Sequence, residues 1–330
     1  MKNSQLQDLM KKKMSRKQFL VMSSLTIAAS FGIIGVLRQL LSNAATPAAS
    51  FEGEAGSETS PATEVTDASA SAGKAIKFGT STTQPPVTGW TPLYSTEFQN
   101  LTGWSVRDEA QNNDNSRNIA ANVVPASVAG GKGLKIYGKR QSGYAVPYTS
   151  GEIHGTGTGL IVPNYFRAEV IGTSMDVSGL WPCLLWFRPQ NANDGEIDVM
   201  EYMGGRSENL TRKRIAVTMH NEYGATQDSI KKPIYFDQLS NPSVTAKHKY
   251  VLEKRPGSIK VIIDDEVTST FTAADKAWWN RIMEVQGRTW YPRITLQIGS
   301  GSATSVVPNP PASWTQSEMT VDSLKFWVPA

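Results

Sequence analysis

The chain has 330 residues, 39% of them hydrophobic, with nine Trp, ten Tyr, one cysteine (Cys183) and three histidines (His154, His220 and His248). That length allows one large domain or two small ones; the cysteine count excludes an intramolecular disulfide or a cysteine metal cluster, and the histidine count argues against a histidine-rich zinc site. The net charge of +4 is uneven, with seven Lys or Arg against one Asp in residues 1–45, one Lys against five acids in residues 46–74, and a surplus of +2 left for residues 75–330, so the part able to fold is almost neutral and has no nucleic-acid signature.

The first predicted element is an export signal or N-terminal membrane anchor over residues 1–44. Lys11, Lys12, Lys13, Arg16 and Lys17 precede an apolar run from Phe19 to Leu37. A basic flank before an apolar run is the layout of an exported segment, and this run is at the border between a long signal and a span. Small residues at Ser42 and Ala44 make a plausible cleavage site, and SRKQFL resembles a twin-arginine signal with Lys17 in place of the second Arg. Residues 19–37 are therefore the candidate for membrane anchoring, and the expected location is extracellular or cell-envelope. Residues 45–74, rich in Ala, Ser, Thr, Glu and Gly, show no hydrophobic period. Such a segment cannot bury enough apolar surface to offset its ordering entropy, and is expected to be a disordered linker.

From residue 75 onward, short β-branched and aromatic runs alternate with Gly, Pro, Asn and Asp. They include GLKIYGKR (133–140), YFRAEVIGTSMDV (165–177), KRIAVTMHNEY (213–223), KYVLEKR (249–255), SIKVIIDDEVT (258–268), PRITLQIGS (292–300) and MTVDSLKFWV (319–328). Several alternate apolar and polar residues, the period of a half-buried strand. SIKVIIDDEVT predicts a hairpin turning at Asp264-Asp265. The one helical candidate is DKAWWNRIMEV (275–285). The signature is that of an all-β sandwich over residues 75–330.

One strand stands apart. GEIDVMEYMGG, starting at Gly195, carries Glu196, Asp198 and Glu201 in an otherwise apolar run. Residues i and i+2 share a face of a strand, so Glu196 and Asp198 point together while Ile197 and Val199 point to the core. Glu201, five residues after Glu196, would face the core on a regular strand. A β-bulge near Met200 adds one residue and returns it to the face of the other two. Three carboxylates so close repel, and at least one should keep its proton near neutral pH. One ionised and one protonated carboxyl is what glycoside cleavage requires; in retaining enzymes the two are about 5–5.5 Å apart. A solvated acidic face or a calcium site would share the same spacing.

The surroundings narrow the choice. GLWPCLLWFRPQ (179–190) leads directly into the acid strand. The two segments together resemble glycoside hydrolase family 16: GLWPCLLWF looks like its G-L-W-P-A-x-W-x, with Cys183 at the usual Ala, and GEIDVME looks like its bulged E-x-D-x-x-E signature, the form of the laminarinase-like, agarase-like and carrageenase-like branches. Looser resemblances run along most of residues 90–330. In HKYVLEKRPGSIKVIIDDEV (248–267), Lys254 stands where the family has Trp, and Asp265 where it has Gly. The resemblance implies a concanavalin A-like β-jelly-roll sandwich with a concave cleft, over residues 75–330. It implies endo-hydrolysis with retention, Glu196 as nucleophile, Glu201 as general acid/base, and Asp198 tuning both. No cofactor is implied as a requirement, and Asp322 matches a structural calcium position only weakly.

Other residues carry weaker expectations. Trp181, Gln297 and His220 are the candidate substrate-binding residues: an aromatic face for a sugar ring, a polar strand position, and a donor to substrate or acid. Trp186, five positions after Trp181, would face the core on a regular strand. Trp278, Trp279 and Trp290 could line sugar subsites or pack under loops, and Cys183 reads as a small buried hydrophobe. The expected partner is a polysaccharide, with β-1,3-glucan first, and the domain is expected to be monomeric. A transglycosylase remodelling an envelope glycan and a non-catalytic carbohydrate-binding protein of the same fold are the alternatives; product length separates them.

Overall fold

The computed structural model describes residues 62–66, 74–78 and 87–330, apart from 113–114, 129–130, 157–159, 192–193, 223–226 and 300–306. The basic flank and the apolar run 19–37 lie outside the described residues, as does most of 45–74. No helix among the described residues is long and apolar enough to cross a membrane. Two compact units are present, Met1–Thr80 and Ser81–Ala330. In the first, Ala62–Thr66 pairs antiparallel with Lys74–Phe78. This hairpin falls partly in the stretch whose composition predicted no regular structure.

The second unit is all-β, as the alternating runs predicted. Its strands form one continuous network that folds into two faces. The cleft face has the spatial order Trp104–Val106, Tyr148–Gly155, Thr289–Ile298, Leu180–Arg188, Glu196–Glu201, Arg214–His220 and Ser229–Tyr235, every pairing antiparallel. The outer face runs Glu266–Thr272, Ser258–Ile263, Lys247–Arg255, Phe166–Thr173, Gln316–Pro329, Gly131–Arg140 and Val123–Val128. This is the jelly-roll sandwich that the sequence predicts.

The core lies between the faces. Phe187 of the cleft face meets Phe166 at 4.8 Å and Phe326 at 6.1 Å, both from the outer face. Period-2 burial carries the outer strands: Phe166, Ala168 and Val170 are fully buried on one, Tyr250 and Leu252 on the next. Burying side chains of this size contributes about 1.5–3 kcal/mol each. The 258–268 hairpin turns where expected, with Asp264 (φ 49°) and Asp265 (φ 71°) both left-handed, the conformation that a two-residue hairpin turn needs. The 275–285 candidate keeps only a short helix, Trp279–Met283. Trp279 and Trp290 are buried in the core, so loop packing rather than a sugar subsite accounts for them.

Candidate active site

The acid strand, Glu196–Glu201, lies between the tryptophan strand Leu180–Arg188 and the histidine strand Arg214–His220. It begins after Gly195, whose φ of 114° places it in a region open to glycine; a Cβ there would also meet Ile282 Cγ2 at 2.5 Å. Against the histidine strand, Glu196 aligns with His220, Asp198 with Thr218, and Glu201 with Ala216, so three steps on one side match two on the other. That is the bulge required by the spacing. Ile197, Val199 and Met200 are fully buried in the core, while Glu196, Asp198 and Glu201 line a cleft of about 500 Å³.

The tryptophan strand is irregular at the same level. Cys183 aligns with Glu201, Leu185 with Met200 and Trp186 with Asp198, with register shifts on both sides of Leu185. The shift turns Trp186 into the cleft beside Trp181, correcting the core position expected from a regular strand. Its indole lies 5.3 Å from the Arg188 guanidinium and 5.0 Å from that of Arg293, and its Nε1 donates to Thr295 Oγ1 at 2.9 Å. Rows therefore cross the strands. One holds Arg293, Trp186, Asp198, Thr218 and Lys231 in register.

The acids have distinct surroundings. Glu196 faces Arg188, Nε to Oε2 at 2.8 Å. Asp198 Oδ2 is 3.2 Å from His220 Nε2. Gln227 Nε2 lies 3.4 Å from His220 Nδ1; with the amide donating there, neutral His220 carries its proton on Nε2 and donates it to Asp198. Trp181 Nε1 donates to Glu201 Oε1 at 3.0 Å. A side-chain hydrogen bond also joins Asp198 and Glu201. Burial pushes the Asp198 carboxyl well above the usual carboxylate range, and the charge of Glu196 adds to this. Burial pushes Glu201 up as well, reinforced by Asp198 and Glu196, while His220 and the Trp181 hydrogen bond pull it back. Burial lowers the His220 imidazole. The arrangement can thus hold a proton at Glu201 next to a carboxylate, Glu196, that faces a guanidinium.

Gln297 and His220 also line the cleft, and Gln297 aligns with Trp181 across neighbouring strands. The buried Gln297 Oε1 has no hydrogen-bond partner among the described residues. Cys183 is buried as expected, though it faces the cleft opposite Glu201. Glu152 is 2% exposed and accepts from Arg107, Arg293 and Asn118. Arg107 and Asn118 come from distant segments, so no local spacing could have marked this cluster.

Asp322 does not line the cleft; it ion-pairs with Lys247. Its buried Oδ1 has no hydrogen-bond partner, yet calcium takes six to eight oxygens, and Asp322 belongs to no group of three metal-binding side chains among the described residues. Calcium there stays a proposal resting on resemblance alone. The one such group is Glu196, Asp198 and His220, within 4.8 Å of one another. The adjacent guanidinium and the proton favoured on Asp198 both oppose a cation.

Residues 162–303 match the sequence profile of glycosyl hydrolases family 16. The matched segment contains the acid, tryptophan and histidine strands. No curated protein matches the chain significantly. Solved structures with the same fold include a family 16 endo-glucanase from Bacteroides ovatus (18% identity, TM-score 0.55, covering 71% of this chain and 99% of that one). They also include an endo-β-1,3-glucanase from Pyrococcus furiosus (18%, 0.54, 73% and 95%) and a laminarinase catalytic domain from Thermotoga maritima (15%, 0.55, 73% and 99%).

Proposed function

We propose that this protein is an exported, endo-acting, retaining glycoside hydrolase of β-linked polysaccharide, with a β-1,3-glucan backbone as its first substrate. The observation that carries the reading is the bulged acid strand, which presents Glu196, Asp198 and Glu201 to one cleft in unequal electrostatic settings. In the first step Glu196 attacks the anomeric carbon while Glu201 gives its proton to the glycosidic oxygen, and the leaving chain departs as an alcohol. In the second, Glu201 takes a proton from water, which attacks the glycosyl ester and frees Glu196. Asp198, bonded to both His220 and Glu201, governs the proton shared across the set. Trp181, Trp186 and Gln297 hold the sugars. The β-1,3 backbone draws support from structural neighbours named as β-1,3-glucanase and laminarinase. Export and membrane anchoring rest on residues 1–44 alone, and no metal or cofactor enters the steps.

The test uses the full-length protein with Glu196→Gln and Glu201→Gln variants on laminarin, mixed-linkage β-glucan, agarose and carrageenan, following new reducing ends and product length. Shorter products from one polymer, lost in both variants, are expected. Longer products mean transfer, retention without cleavage means binding, and near-native activity of Glu196→Gln overturns the assignment.

A further inference from the structure

The cleft continues past Glu201 into a smaller recess of about 80 Å³ that shares Glu201, Met203, Arg206 and Lys231 with it and adds Glu208 and Arg214. Three of these side chains are cations. Glu208 is shared between two of them, Oε2 with Arg206 Nε at 2.6 Å and Oε1 with Arg214 Nη2 at 3.0 Å. One carboxylate therefore faces two guanidinium groups. Lys231 is exposed and in register with Thr218. Its charge nonetheless reaches Asp198 and His220. With Glu201 holding its proton, the recess carries a surplus of two positive charges.

The direction of the recess matters. In the reaction above, the path from Glu196 to Glu201 runs from the anomeric carbon to the glycosidic oxygen. A sugar lying beyond Glu201, away from Glu196, belongs to the leaving chain. The recess adjoins Glu201 and lacks Glu196 among its walls.

From this we infer that the protein acts on an anion-bearing β-glycan, and that Lys231, with Arg206 and Arg214, receives a carboxylate or sulfate group on the leaving-chain sugar. A neutral glucan would leave this surplus charge without a counterpart, whereas an anionic group supplies one and fits the guanidinium forks. The inference rests on the proposed reaction for its leaving-chain side, though not for the anion site itself.

The experiment compares matched neutral and anionic polymers: curdlan against carboxymethyl- and sulfo-curdlan, and agarose against carrageenan. Full-length protein, Lys231→Gln and Lys231→Arg are assayed at 20 and 200 mM salt, where the screening length is about 20 Å and about 7 Å. The native chain is expected to favour the anionic member in kcat/KM, less so at high salt. Lys231→Gln should lower that preference about 3- to 5-fold, the scale of an exposed ion pair, and Lys231→Arg should keep it. The carboxymethyl and sulfate arms say which anion is read. Equal rates on neutral and anionic polymers, or a preference unchanged in Lys231→Gln, overturns the inference. If nothing is cleaved, retardation in gels holding the same polymers decides. Retardation by anionic polymers alone, reduced in Lys231→Gln, upholds the anion site and overturns the glycanase reading; no such difference overturns the anion site.

Discussion

Trp186 stands in register with Asp198 across the tryptophan and acid strands, on the cleft side of the sheet. The extra residue that brings Glu201 around to join Glu196 is matched by an irregularity in the neighbouring strand, which brings Trp186 around to join Trp181. Acids and aromatic rings thus face one cleft because two adjacent strands break step together.

This placement predicts that Trp186→Ala weakens substrate binding more than it weakens the fold. KM should rise by up to about 10-fold, the scale of one lost aromatic contact, with a small change in thermal midpoint. A core tryptophan would instead cost about 3–5 kcal/mol of stability on truncation. Steady-state kinetics beside thermal unfolding separates the two; a large stability loss with unchanged KM would put the indole back in the core.

Arg188 faces Glu196 at 2.8 Å and should act as a positioning residue for the attacking carboxylate. Arg188→Gln removes that charge and its aim. We expect kcat to fall roughly 10²-fold, on the scale of losing one preorganised electrostatic partner, while KM changes little and Arg188→Lys recovers part of the rate. Native kcat in Arg188→Gln would exclude the role.

The indole hydrogen bond from Trp181 lowers the Glu201 carboxyl against the upward push of burial. Glu201 must be protonated to act as the acid, so activity should be lost as pH rises through its ionisation. Trp181→Phe keeps an aromatic face and deletes the donor, so Glu201 should hold its proton to higher pH and the alkaline limb of kcat/KM should move upward. A pH–rate profile checks this, and a limb that stays or moves down contradicts it.

Lys254 stands at the position where the family resemblance has Trp. It is fully buried, donates to Asn164 Oδ1 at 3.0 Å and Met283 O at 2.5 Å, and lies near the rings of Tyr165 and Trp290. Burial lowers it to about 7, whereas an unfolded lysine keeps its proton to about 10.4. Between these values the unfolded chain binds more protons than the folded one, so the penalty on the folded state is full below about pH 7 and fades as pH rises. Lys254→Met should therefore gain stability over the native chain most at pH 6, and that gain should shrink by on the order of 2–4 kcal/mol by pH 10. Urea midpoints at the two pH values measure it; a constant difference would show that Lys254 does not titrate there.

The sequence alone determined the sandwich and the shared face of the acids, because both follow from local rules. Alternation of period 2 assigns a strand's faces, and Glu196, Asp198 and Glu201 can share a face only if one residue is added. Trp181 and Trp186 are also five apart, so the same rule was open to them; what was missing was the knowledge that the two strands are neighbours. That pairing, the Arg107–Glu152–Arg293 cluster and the positive recess at Arg206, Arg214 and Lys231 join segments far apart in the chain. Only the tertiary structure decided them, since charge and hydrogen bonding act through space and spacing along one strand carries no record of what the next strand presents.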